Sequence, residues 1–424
     1  MKLFATDHPH STAIDISSYE FWCRPLIERD MSFSRLRRDA PVSWHPPMDG
    51  SALAYRDHEE AGFWAVTRST DISFVSRNHE IFSSALGGVT VRPRIPAHRQ
   101  SAPSFLDMDP PEHNVHRHII SSSFTPRSIS RLTAQIEDRA TNILDAVVGV
   151  GEFDFVERVS SQLPMLTIAD MIGVPESQVA AFTKAGNDMV MAADEGALPD
   201  GVNPLTYFAD ATATIRNLGI DLVNYRRAHP GDDLATALAE AKVEGRPLPD
   251  AEIASIVILL SVAGNDTTKH TTSWTAYNLC LNPGQRSWLA EDLEGRITQS
   301  IEEFIRHATV VNMFARTART DTVLGEQQIT AGDKVVMFYC SGNRDESVFP
   351  DAHRFDLTRP RVNHVAFGGG GVHFCLGSFV ARAQLRAIFA RLPDRLPGLE
   401  LRGEPELLHN EMFNAVRTLP MASG

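Results

Sequence analysis

Four consecutive glycines, then valine, histidine, an aromatic and a cysteine, constrain this chain more than any other feature. They lie in FGGGGVHFCLG, residues 367–377. Glycine reaches positive φ at no steric cost and lets another body approach the backbone closely. The segment after Cys375, LGSFVARAQLRAIFARL, has helical periodicity. The sulfur is therefore expected at a helix N-terminus, where free N–H groups and the helix dipole favour an anion. A lone cysteine is also commonly a small buried hydrophobe. A glycine run before a helix also suits a phosphate loop, but that motif ends in Gly-Lys-Ser/Thr, which is absent here. A thiolate held by backbone donors with space cleared beside it suits an axial ligand to haem iron.

The second constraint is AEIASIVILLSVAGNDTTKHTTSWTAYNLCL. It is apolar nearly all round up to Ala263, the pattern of a buried helix. Gly264, Asn265, Asp266, Thr267 and Thr268 then follow. Burying a carboxylate costs several kcal/mol unless it is paired. Two readings fit. Either the helix ends at Gly264, or it continues with a local opening where Thr267 bonds back to the Ala263 carbonyl.

The formal net charge of −13 argues against a general nucleic-acid binder, which needs a basic surface, while leaving room for a local basic patch that net charge does not report. Cys23, Cys280, Cys340 and Cys375 form no CxxC pair, against a zinc ribbon, and neither they nor the chain length suggests a disulfide framework. No secretory h-region is visible, and the longest apolar run is about half of a membrane span. With no linker or repeat, residues 1–424 are expected to form one domain, in a reducing cytoplasm.

Helices are expected at about 125–149, 160–172, 177–195, 206–228, 249–281 and 296–307. Strands are expected at 62–68 and 334–340 and near the C-terminus. Asp109 is a plausible N-cap for a helix carrying EHNVHRH, with Pro110 in its first position. On that helix His113 and Arg117 share a face. A metal site from His113 and His116 lacks a third ligand of suitable spacing. EEFIRH places Glu303 and Arg306 three apart, which alone reads as a surface pair.

FGGGGVHFCLG and AGNDTT together resemble the cysteine loop and oxygen-binding motif of the cytochrome P-450 family. The loop carries one residue more than the common form, so Phe367 stands eight before the cysteine. The resemblance implies a mainly α, triangular fold with small β-sheets and no fused reductase. It implies haem b with Cys375 as the axial thiolate. Around the haem it places His113, Arg117, Arg316 and His373 at the propionates, and Ala263, Gly264, Phe367 and Gly377 elsewhere. Asp266 and Thr267 become the catalytic proton-delivery pair. Glu303, Arg306 and Arg354 become a structural triad. His116 and His118 have no assigned role and are expected at the surface.

The implied reaction is O2-dependent hydroxylation of an unactivated C–H bond. Electrons come from a ferredoxin and its NAD(P)H-dependent reductase, docking near the cysteine loop with Arg382 and Arg386 as candidate contacts. By the same resemblance, the substrate pocket draws on segments 85–106, 187–197 and 310–314, with Leu259, Ala263, Val310, Val311, Met412 and Phe413. Its aliphatic and methionine-rich character suits an apolar ligand. The similarity is to a bacterial branch acting on sterol side chains, isoprenoids and methyl-branched lipids. A monomer is expected. A peroxide-driven haem peroxygenase and a non-enzymatic haem sensor are the rival readings.

Overall fold

The computed structural model describes residues 8–48, 61–92, 104–192, 198, 200–360 and 363–424. Helices form most of it, packed around the 32-residue helix Asp250–Leu281. A five-stranded sheet lies to one side. Its strand order is Val42–His45, Phe63–Val66, Lys334–Phe338, Met313–Ala318 and Phe82–Ser83. Phe63–Val66 and Lys334–Phe338 run parallel, and the other three strand pairings of this sheet are antiparallel.

The expected helices appear with shifted ends. Pro126–Asp145 starts where Thr125 Oγ1 accepts from the Ser128 N–H at 3.2 Å. Its apolar stripe is buried: Ile136, Ala140 and Leu144 are at most 3% exposed. The helix stops at Ala146, before the glycines expected to end it. Gln162–Ile172, Glu176–Met191, Pro204–Ala228 and Leu293–Ala308 match the other expectations. Leu26–Asp39, Ser69–Arg77 and Pro283–Glu291 are helices that the periodicity did not single out.

Two local expectations are overturned. Asp109 is not an N-cap; Pro111 precedes the helix Glu112–Ser121. The Asp109 carboxylate instead accepts from the Ser84 N–H (2.8 Å), the Ser83 hydroxyl and Arg319. It ties the loop after Phe82–Ser83 to the start of that helix. His116 is not a surface residue: it is 8% exposed, with Nε2 3.2 Å from Glu252 Oε2. His118 is exposed, as expected.

The long helix does not end at Gly264. It runs unbroken through Asn265 to Leu281. Its polar half stays buried because hydroxyls bond back one turn: Thr267 to Ala263 (2.8 Å), Thr271 to Thr267 (2.7 Å), Thr272 to Thr268 (2.9 Å) and Thr275 to Thr271 (2.7 Å). Gly264 has a packing reason. A Cβ there would stand 2.4 Å from Ile168 Cδ1, so the missing side chain lets Gln162–Ile172 lie against the long helix.

Candidate haem-thiolate active site

All four loop glycines take positive φ, from +73° to +107°. The body that approaches them is protein. A Cβ at Gly371 would sit 2.2 Å from the Ser76 carbonyl oxygen, and Gly369 lies against Ile72 and Ser73. The Ser76 hydroxyl donates to the Gly370 carbonyl at 2.8 Å. The glycines thus lay the loop on the helix Ser69–Arg77. The chain then turns so that the Cys375 N–H donates to the Phe367 carbonyl at 3.0 Å. The additional loop residue is therefore taken up between these two anchors, and Phe367 remains beside the cysteine. The helix Ser378–Phe389 begins just after it.

Cys375 lies deep in the protein yet keeps partial accessibility, as a sulfur facing an interior space does. Burial pushes its thiol up; the Gly377 N–H, Arg117 and Arg382 pull it down. These donors favour the anion that an axial ligand must be.

The groups expected at the propionates come together. His113 and His373 ring centroids are 4.3 Å apart. His113 is fully buried and its Nε2 has no partner; His373 Nδ1 is likewise buried and unpartnered. His373 Nε2 lies 3.0 Å from Ser84 Oγ. Arg316 is 3% exposed, and its recorded hydrogen bond runs to its neighbour's carbonyl at Ala315. Arg117 donates to the Phe374 carbonyl at 2.6 Å. Among the described residues neither guanidinium has a carboxylate within 4 Å. Burial, then Arg316 and His113, hold the His373 imidazolium pKa down at about 2. Two guanidiniums call for anions, and two unpartnered nitrogens of neutral imidazoles call for hydrogen-bond partners beside them. The two carboxylates of a haem fit that demand. The ring nitrogens of His116 face the Glu112 carbonyl (3.1 Å) and Glu252 (3.2 Å).

On the long helix Ala263 is exposed and Thr267 partly so, although both lie in its interior stretch; this face therefore borders open internal space. Asp266 is fully buried. Its Oδ1 accepts from Lys269 Nζ at 2.6 Å, and its Oδ2 has no partner. Burial pushes the Asp266 carboxyl up, opposed by Lys269. Lys269, one turn along the same helix, was absent from the sequence reading, although its i, i+3 spacing was visible.

The expected substrate segments also meet. Val311 and Phe413 form an antiparallel bridge, and the Asn312 N–H donates to the Met412 carbonyl at 2.8 Å. Leu259 is half-buried on the long helix. Val310 is 5% exposed within the main core cluster, so its side chain is committed to packing. Residues 93–103 and 193–197 of the remaining expected segments lie outside the described residues.

Glu303 and Arg306 are not a surface pair. They are 5% and 2% exposed. Arg306 donates to both Glu303 oxygens at 2.7 Å and to the carbonyls of Asn343, Ala352 and Arg354 at 2.7–3.2 Å, using all five N–H groups. The expected third member is corrected. The side chain of Arg354 is exposed, and it contributes its carbonyl oxygen. The guanidinium beside Glu303 belongs to Arg359, whose Nε lies 3.5 Å from Oε2. Arg359→Ala is therefore expected to cost about 2 kcal/mol or more, and Arg354→Ala less than about 0.5 kcal/mol. Chemical denaturation of both holoproteins checks this order. Equal losses would contradict the assignment.

Arg382 is also committed internally. It grips both oxygens of Glu302 at 2.6 and 2.8 Å and stacks on Phe367, 4.6 Å from its ring centre. Arg382 and His364 hold the Glu302 carboxyl down at about 2 against burial. Arg386 pairs with exposed Glu294 at 2.6 Å. Both arginines thus carry an ion pair within the chain, Arg382 with half-buried Glu302 and Arg386 at the surface.

The cytochrome P-450 family model matches residues 221–395. The chain is 34% identical over 411 residues to a methyl-branched lipid omega-hydroxylase of Mycobacterium tuberculosis, covering 96% of this chain and 94% of that one. It is 36% identical over 389 residues to a steroid C26-monooxygenase of Mycolicibacterium smegmatis, covering 91% and 88%. A Mycobacterium marinum cytochrome P-450 solved in complex with pseudoionone superposes with TM-score 0.92 at 43% identity, over 97% and 98% of the two chains. The chain belongs to the cytochrome P-450 family. It is a monooxygenase whose cofactor is haem b with an axial cysteine thiolate, acting with O2 on a hydrophobic substrate. Among the described residues no helix is long and apolar enough to cross a membrane.

Proposed function

We propose that this enzyme hydroxylates a methyl-branched lipid, isoprenoid or sterol side chain near its end, with Cys375 as the axial ligand and electrons from a ferredoxin and its reductase. The observation that carries the reading is the accessible Ala263–Thr267 face on an otherwise buried helix, with the buried acid Asp266 next to Thr267. The names of the relatives support the substrate class.

His113, Arg117, Arg316 and His373 would hold the propionates, and the Gly377 N–H would stabilise the Cys375 thiolate. Haem bound there supplies O2 activation, one oxygen atom entering the C–H bond and the other leaving as water. The protein's own part is ligand geometry, protons and the exclusion of water. The Thr267 hydroxyl donates a hydrogen bond to the Ala263 carbonyl, so the Oγ1 lone pairs remain to accept one. Asp266, with raised proton affinity and one free oxygen, is placed to carry a proton. Lys269 keeps that buried carboxyl compensated. The acid–threonine pair has no part in a peroxide-only reaction. Exposed Phe374 and Phe379 flank the cysteine and offer an apolar contact for the electron donor.

Thr267→Ala tests the relay with a ferredoxin, its reductase and a methyl-branched isoprenoid lipid. NADPH consumption is expected to continue while product per NADPH falls severalfold and H2O2 rises. Full coupling would remove Thr267 from proton handling. In the same preparation the Soret band should respond more strongly to the branched lipid than to a straight-chain fatty acid of equal length. Equal responses would overturn the substrate class.

A further inference from the structure

Behind the candidate substrate segments lies a separate cavity of about 160 Å³, between the helix Leu26–Asp39, the C-terminal half of the long helix and residues 307–312. Its inner wall includes Asn312 and Asn414, whose N–H groups bond the carbonyls of Met412 and Val310. Arg29 lines it and is 7% exposed. The Arg29 Nε is buried with no hydrogen-bond partner. Among the described residues the guanidinium has no ion pair; its recorded contact is the Trp22 ring, 5.4 Å from centre to Cζ.

The nearby acids do not meet this demand. Asp30 lines the same cavity and its charge reaches Arg29, but it makes no ion pair with that guanidinium; its carboxylate lies 3.6 Å from Arg344 and 3.4 Å from His353, so it is shared with two other cationic or titratable groups. Cys340 also lines the cavity, but burial pushes its thiol up to about 12, so it is no anion. A buried cation without a counter-ion costs several kcal/mol. The remaining wall is largely apolar and flat, with Trp22, Leu26, Phe33 and Trp274. A cavity of roughly 150 Å³ holds a benzene-sized body.

We propose that this cavity binds a small monocarboxylate with a flat or short apolar body. The carboxylate pairs with the Arg29 guanidinium, and the body lies against Trp22, Phe33 and Trp274. The site is independent of the haem and of the substrate assignment.

The test uses the holoenzyme with its haem iron capped by an azole, in carboxylate-free buffer. Benzoate and its neutral isostere benzamide are titrated by calorimetry while the Soret band is followed. Benzoate is expected to bind one to one, at least tenfold tighter than benzamide, with no Soret change. Arg29→Met is expected to lose that preference and, without benzoate, to melt no lower than wild type because an unpaired buried cation is gone. Equal affinity for the two probes, or no benzoate binding up to its solubility limit, would overturn the site. So would benzoate binding that survives in Arg29→Met. The two-probe comparison needs wild-type protein alone and decides the matter if the variant does not fold.

Discussion

Cys375→His is expected to give a protein that still takes up haem but loses the thiolate-type ferrous–CO difference band completely, with the imidazole-type band in its place. Product formation should fall roughly a thousandfold or more, about 4 kcal/mol in the barrier. The cause is local. Burial pushes the Cys375 thiol up, opposed by the Gly377 N–H, Arg117 and Arg382, and a neutral imidazole supplies none of the thiolate's electron donation. The loop itself should survive, because its anchors are the Phe367 carbonyl on the residue-375 N–H and Ser76 on Gly370. A ferrous–CO spectrum unchanged by the substitution would sink the ligand assignment.

Glu303→Gln should be the most destabilising single change of near-identical shape. Among the described residues Glu303 is the carboxylate paired with the Arg306 guanidinium, with Arg359 3.5 Å away and Arg344 also within its field. A glutamine amide turns one N–H₂ toward an arginine donor and leaves the buried cations uncompensated. Removing one partner of a buried pair costs about 3–5 kcal/mol. The Asp356 N–H also donates to Glu303 Oε1 at 2.9 Å, so the chain leading into the cysteine loop should loosen as well. The expected readouts are a lower thermal midpoint and reduced haem content per protein. A variant with wild-type melting and full haem would show that the pair carries no structural load.

What was legible came from contiguous residues. The helix Asp250–Leu281 was visible because its apolar stretch and its hydroxyl-rich half each follow local rules. Helices such as Leu26–Asp39 were missed. There the buried face is made by Phe33, Leu36 and two arginines, Arg29 and Arg37, and charged residues do not register as an inward face. The candidate site divides in the same way. Cys375, Thr267 and the His113/Arg117 spacing stood out as motifs. Lys269 did not, because a lysine draws notice beside an acid only once both are known to be buried.

The sequence by itself determined where the cysteine loop and the oxygen-side helix lie, because glycine conformation, helix periodicity and hydroxyl back-bonding act over a few neighbouring residues. Tertiary structure alone decided that Arg359 rather than Arg354 faces Glu303, that Arg382 is held by Glu302, and that the four glycines accommodate the helix Ser69–Arg77. It also decided that Arg29 is buried with its Nε lacking a hydrogen-bond partner and, among the described residues, without an ion pair. Those outcomes depend on which distant side chains meet and how much water is excluded between them, and neither quantity is a property of a local stretch of chain.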